Sequence, residues 1–316
     1  MSWRELIGPL EVIPAESGLR DWYAKVFAQA AEQGSFALAV YGGRVAATPG
    51  LAFLAGYQAA LRKLWPMAPV GLGALCATEN RKLRPADMTT RASGVISGRK
   101  DFVTAGASAS WLLVTAREEQ EGEPSRLGLF AVQADSTGVS LEPGDPISLL
   151  PDIPHARLRL EYAAGERLAG DGWADYVKPF RTLEDIYVLA AMAAWLYGLG
   201  VQHHWPPALV LRLLAVLAGT AELDRQSTND PATHLILGAL GEQFQALQPE
   251  LDRALRTTGS PWAESWMRDK AVLQLARQAQ ARRLQKAIDL VLLFDGDAAA
   301  QDQLLASGTP RVKADL

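Results

Sequence analysis

Residues 94–105 read Gly94-Val95-Ile96-Ser97-Gly98-Arg99-Lys100-Asp101-Phe102-Val103-Thr104-Ala105. β-Branched and aromatic residues dominate, glycine punctuates, and the three- and four-residue apolar spacing of a helix is absent, so the stretch predicts a strand. It is not isolated. Similar short apolar runs occupy 71–77, 111–116, 127–133, 139–142 and 156–162, separated by Gly, Pro, Ser and Asp. Alternation at period two is clearest in Arg157-Leu158-Arg159-Leu160, as a half-buried strand requires. No helix-length periodic segment lies between these runs, so the sheet is expected to be largely antiparallel, a small barrel or sandwich.

On either side the pattern is helical. Leu19, Trp22, Tyr23, Val26, Phe27 and Ala30 share one helix face. Thr48-Pro49 announces a second helix, continued by Leu51, Leu54, Ala55, Gln58, Leu61 and Leu64 and stopped by Trp65-Pro66. Gly42-Gly43 reads as the loop between them. After Gly170-Asp171-Gly172, helices are expected over 176–202, 207–224, 231–255 and 261–294. Ser260 is read as the cap of the last, with Pro261 in its first turn and Glu264 at its positive end. Its expected buried stripe is Leu273, Ala276, Leu284, Ala287, Val291 and Phe294. The predicted organisation is α+β: N-terminal helices over 1–70, an antiparallel β-domain over 71–175, and a four-helix bundle with a frayed tail over 176–316.

Composition narrows the function. Hydrophobic residues make up 49% and charged residues 21%, an ordinary globular balance. A net charge of −4 and the lack of a basic stripe argue against nucleic-acid binding. The single cysteine, Cys76, excludes an internal disulfide and fits a reducing cytoplasm. Met1-Ser2-Trp3-Arg4-Glu5 has neither the basic nor the apolar segment of a signal peptide. The longest apolar stretch, 186–201, falls short of the roughly 20 residues of a spanning helix, so no membrane role is expected. His203-His204 reads as a helix-end pair, because helix neighbours point about 100° apart, and no metal site is expected.

Particular residues also resemble a known family. Ala74-Leu75-Cys76-Ala77-Thr78-Glu79 is similar to the strand of the acyl-CoA dehydrogenases that ends in Thr-Glu. The stretch 94–104 resembles that family's Gly-x-x-(Ile/Leu)-(Asn/Ser)-Gly-x-Lys-x-aromatic-(Ile/Val)-Thr segment. Ala109-Ser110-Trp111-Leu112-Leu113-Val114-Thr115-Ala116 is similar to the strand after it, and Leu168-Ala169-Gly170-Asp171-Gly172-Trp173 to the exit from the β-domain. The resemblance implies the family's fold, in a form with a shortened N-terminal domain. It implies FAD lying across the β-domain, with Thr78 on the pyrimidine side, Phe102 and Val103 beside the ring and Thr104 near N5. Singly, Phe102 and Val103 also suit sheet core, and Thr104 a turn.

Departures from the family pattern are equally specific. The family's Pro-x-x-Gly-Ser-Asp loop is replaced by Asn80-Arg81-Lys82-Leu83-Arg84-Pro85. Arg81 and Arg84 are candidates to meet the cofactor phosphates by charge, although the composition also suits an exposed loop. The Arg-x-x-Phe-Gly, Gln-x-x-Gly-Gly and Glu-Gly-Thr segments have no counterpart. Some family members place the catalytic base on the first bundle helix, where Phe180-Arg181-Thr182-Leu183-Glu184-Asp185 offers Asp185 or Glu184. Both acids also suit a helix's first turn as partners of its dipole. The implied activity is α,β-dehydrogenation of an acyl-CoA or other acyl thioester, as in fatty acid metabolism. The alternative is a non-catalytic homologue, either a partner subunit of a complete dehydrogenase or an acyl-thioester-binding protein. A homo-oligomer or such a hetero-oligomer is expected from the bundle face.

Overall fold

The computed structural model describes residues 1–80, 87–118, 126–144, 148–258 and 261–291. The candidate cations Arg81 and Arg84, the cap Ser260, and Phe294 with the tail beyond it lie outside the described residues.

Four helices open the chain: α1 (Trp3–Ile7), α2 (Leu19–Ala30), α3 (Ser35–Val45) and α4 (Pro49–Leu64). Thr48 caps α4, its Oγ1 accepting the Leu51 amide at 3.1 Å with Pro49 in the first turn. Gly42 and Gly43 do not form a loop; they lie inside α3. A Cβ on Gly43 would fall 2.2 Å from the Ala191 carbonyl oxygen, and one on Gly42 would fall 2.5 Å from Ala55 Cβ. Their helix cost is outweighed by the backbone approach that they permit. Gly56 on α4 does the same beside Tyr187.

The β-domain holds β1 (Gly73–Cys76), β2 (Arg91–Ser93), β3 (Val95–Thr104), β4 (Trp111–Glu118), β5 (Arg126–Gln133), β6 (Val139–Pro143), β7 (His155–Ala163) and β8 (Glu166–Arg167). The order is β6-β7-β3-β2-β4-β5-β8, with β1 beside β4. The β1–β4 and β2–β4 pairs are parallel and the others antiparallel. β2 and β8 are too short to leave a periodic signal and were not expected.

A π-helical turn (Gly172–Val177) leads into α5 (Lys178–Gln202), followed by α6 (Pro207–Leu223), α7 (Pro231–Thr258), α8 (Pro261–Asp269) and α9 (Arg277–Val291). By length and apolarity the segment Gly172–Gln202 resembles a membrane span, yet 78% of its most apolar window is buried inside the protein. It is the central rod: α3 and α4 pack on one side of α5 and α6 on another, within one continuous core. A second core fills the sheet interior.

The last expected helix is broken. α8 ends at Asp269, whose fully buried carboxylate accepts the Leu150 amide at 2.9 Å, and a 3-10 stretch (Lys270–Gln274) intervenes before α9. This break takes the expected stripe out of register. Ala287 is buried, whereas Leu273, Ala276 and Leu284 are half-buried and Val291 is exposed.

Candidate active site

The surface around Phe102 is made by a bulge. The register of β3 against β7 shifts between Lys100 and Val103, so these two residues both point inward although three apart. Phe102 is thereby turned out and is 46% exposed. Val103, fully buried, belongs to the sheet interior. Thr104 is half-buried, as is Thr78 just beyond β1. The Thr78 carbonyl accepts the Asp101 amide at 2.9 Å, so Thr78 and Phe102 are held side by side.

Beneath this surface lies a sealed ion pair. Lys100 Nζ stands 2.5 Å from Glu79 Oε1 and 3.0 Å from Thr115 Oγ1. The other Glu79 oxygen accepts the Thr89 amide at 2.5 Å and the Thr89 hydroxyl at 2.7 Å. Burial pushes the Glu79 carboxyl up, but the Lys100 charge and these hydrogen bonds outweigh it and hold it at about 2. Burial also pushes the nearby Cys76 thiol up to about 12, against the Lys100 charge, which leaves it inert at neutral pH.

The two candidate acids part company. Asp185 turns toward α9, where its buried carboxylate pairs with Arg283. Desolvation raises its pKa, and Arg283 opposes that rise. Glu184 is half-buried and within electrostatic reach of Tyr57 on α4. Desolvation first and the Asp185 charge second push its carboxyl up to about 8, against the opposing charge of Arg181.

Tyr57 ties α4 to the β-domain. Its hydroxyl accepts the Leu75 amide of β1 at 2.9 Å, with the Thr104 side chain nearby. The Phe180 ring meets it edge-on at 5.5 Å, and Phe53 stacks at 6.1 Å. Its pKa is raised by burial and then by the negative charge of Glu184. Tyr57 is not among the residues whose spacing marks α4 in the sequence, namely Leu51, Leu54, Ala55, Gln58, Leu61 and Leu64; the available signal is the Phe53–Tyr57 pair, one helical turn apart. Gln58 is buried because its amide brackets Gly73, giving Nε2 to the Gly73 oxygen at 2.8 Å and taking the Gly73 amide at 2.9 Å.

Tyr57 therefore stands where α4 faces β1, with Thr104 nearby and Glu184 of α5 within electrostatic reach. The exposed Phe102 ring, with partly open Thr78 and Thr104 beside it, fits a flat heteroaromatic group with a polar edge. Tyr57 already holds the Leu75 amide, so such a group would lie against a backbone donor that is already taken. Among the described residues, no three His, Cys, Asp or Glu side chains are grouped so as to hold a metal ion.

Neither a protein-family profile nor a curated protein sequence matches the chain. Solved structures do match in fold. FkbI, for biosynthesis of the methoxymalonyl extender unit of the Fk520 polyketide, aligns with a TM-score of 0.60 at 19% identity, covering 84% of this chain and 86% of that one. Butyryl-CoA dehydrogenase from Megasphaera elsdenii aligns at 0.55 with 13% identity, over 80% of each chain. The FAD complex of PigA aligns at 0.53 with 12% identity, over 94% of this chain and 90% of that one. With N-terminal helices, a curled sheet and a C-terminal helical region in the same order, the chain has the acyl-CoA dehydrogenase fold.

Proposed function

We propose that the protein is a flavin-dependent oxidoreductase of acyl-CoA dehydrogenase type acting on an acyl thioester, with Glu184 as the base. What supports this reading is the Glu184 carboxyl, which burial pushes up to about 8, within electrostatic reach of Tyr57, whose hydroxyl takes the Leu75 amide of the same β-domain that carries the exposed Phe102 ring. A flavin bound there would supply the acceptor for the β-hydride. Glu184 takes the α-proton onto its carboxylate, and a pKa near 8 suits a base that must also give the proton up. Thr78 and Thr104 offer hydroxyls to the polar edge of the ring, and Phe102 packs on its plane. Arg81 and Arg84 meet the cofactor phosphates by charge. Asp185 is held by Arg283 and positions α5 against α9. The protein works in the cytoplasm on CoA- or carrier-linked acyl groups, as a self-associated oligomer or beside a complete dehydrogenase subunit.

One observation favours a second reading, a non-catalytic homologue acting as a partner subunit or thioester binder: the Leu75 amide is already engaged by the protein's own Tyr57. The visible spectrum separates the two. A yellow protein, as purified or after adding FAD, that bleaches anaerobically with an acyl-CoA supports the first. A protein that stays colourless with added FAD removes it and leaves the second.

A further inference from the structure

At the other end of α5 from Glu184, a cavity of about 380 Å³ lies between the segment after α1, the end of α3 and the last turns of α5. Arg44 lines it and is 6% exposed. One terminal nitrogen donates to the Leu6 carbonyl, the other to the Gly8 carbonyl at 2.8 Å, and the guanidinium carbon sits 5.1 Å from the Tyr197 ring centre. All of these partners are neutral. Among the described residues no carboxylate pairs with Arg44; Glu11, on the rim, is exposed.

Two donors on residues that line this cavity are unused. Arg44 Nε is buried with no acceptor, and so is the indole nitrogen of Trp195, a residue 2% exposed. A Cβ on Gly198 would stand 3.1 Å from Arg44 Nε, so the missing side chain keeps the space beside that donor open. The remaining wall is largely apolar, with Leu10, Val12 and Leu199. A water molecule would accept a hydrogen bond there but bring no negative charge, and a buried cation without a counter-ion is strongly disfavoured.

We propose that this cavity binds an alkyl carboxylate, whose oxygens accept from Arg44 Nε and Trp195 Nε1 while its chain lies against Leu10, Val12 and Leu199. The carboxylate neutralises Arg44, and the tail excludes water from the pair, which strengthens it. Glu184 is about 16 Å away along the α5 axis, so the site is separate from the proposed flavin chemistry and does not rest on it.

The test is calorimetric titration of the full chain with sodium hexanoate, with hexanol and sodium phosphate as comparisons. Hexanoate should bind, and the other two at least about tenfold more weakly, since one lacks the charge and the other the tail. Trp195→Phe removes the indole donor and should weaken hexanoate about tenfold. Gly198→Ala fills the space beside Arg44 Nε, where the added Cβ would stand 3.1 Å from that nitrogen, and should weaken hexanoate at least as much. Should one variant fail to fold, the other decides. Hexanoate that does not bind, that binds both variants as it binds the parent, or that is matched by hexanol or phosphate would overturn the assignment.

Discussion

The Tyr57 hydroxyl accepts the amide of Leu75 at 2.9 Å and so ties α4 to β1, beside Thr104 and within electrostatic reach of Glu184. A helix of the N-terminal region thus helps to set the edge of the β-domain on which the proposed chemistry depends. Tyr57→Phe keeps the contacts with Phe53 and Phe180 and leaves the Leu75 N–H unpaired. The loss should be about 1 kcal/mol, at the low end for an orphaned donor because Leu75 is half-buried. Urea unfolding would measure it. A variant as stable as the parent would show that water replaces the phenol.

Glu184 should govern two pH profiles. Its folded pKa, about 8, lies above the ordinary 4.5, so the folded state holds its proton where the unfolded state has lost it. The stability it contributes is present in full below pH 4.5 and is lost as the pH rises through 8. Glu184→Gln should leave the melting temperature unchanged at pH 5 and raise it at pH 9. Activity runs the other way, because a base must be deprotonated: kcat/KM for an acyl-CoA should rise with pH around a midpoint near 8 and vanish in Glu184→Gln. Asp185→Asn should act mainly on stability, since it breaks the contact with Arg283. A profile with no ionisation near 8, or full turnover in Glu184→Gln, would remove Glu184 as the base.

Lys100 and Glu79 form a pair whose members are expensive alone. Lys100→Met leaves a sealed carboxylate without its cation and should cost about 3–5 kcal/mol, whereas the double variant Glu79→Leu/Lys100→Met should be markedly less harmful than that single change. Chemical denaturation of the parent, both single variants and the double closes the cycle. The acid limb gives an independent check. Glu79 titrates near 2 in the folded chain, so its contribution is present above its ordinary 4.5 and is lost as the pH falls through 2. In Lys100→Met that loss should begin at higher pH.

Local chemistry made much of this fold legible. Gly94–Ala105 and the alternating Arg157–Leu160 pointed to strands that are present, because a strand with one buried face must keep period two. Thr48-Pro49 marked the true start of α4, because capping is settled within one turn. What could not be read depends on groups distant in sequence. Residue 269 ends α8 while its carboxylate holds the Leu150 amide 119 positions away, and periodicity carries no trace of that bond. The choice between Glu184 and Asp185 was a matter of one residue in sequence. In three dimensions it becomes a matter of different neighbours, with Tyr57 within electrostatic reach of Glu184 and Arg283 paired with Asp185. The bulge that turns Phe102 outward was equally hidden, since it is defined by the register against β7.

The glycines of α3 and α4 give the most direct test of how the helices are assembled. By helix propensity, Gly43→Ala should stabilise the chain by about 1 kcal/mol. Packing predicts the opposite. The new methyl would lie 2.2 Å from the Ala191 carbonyl oxygen, and the obstacle is backbone in the middle of α5, which has no rotamer through which to yield. α3 would have to move away from α5, opening the core that both share, at a cost of about 1–3 kcal/mol or more. Gly56→Ala should behave alike, meeting the Tyr187 oxygen at 2.6 Å. Gly241 on α7, with nothing within 4 Å of an added Cβ, is the control: there Ala should stabilise. Melting temperatures of the three variants would decide. A stabilised Gly43→Ala would mean that α3 and α5 are farther apart than the geometry described above, and with it the placement of α4, Tyr57 and the candidate site would have to change.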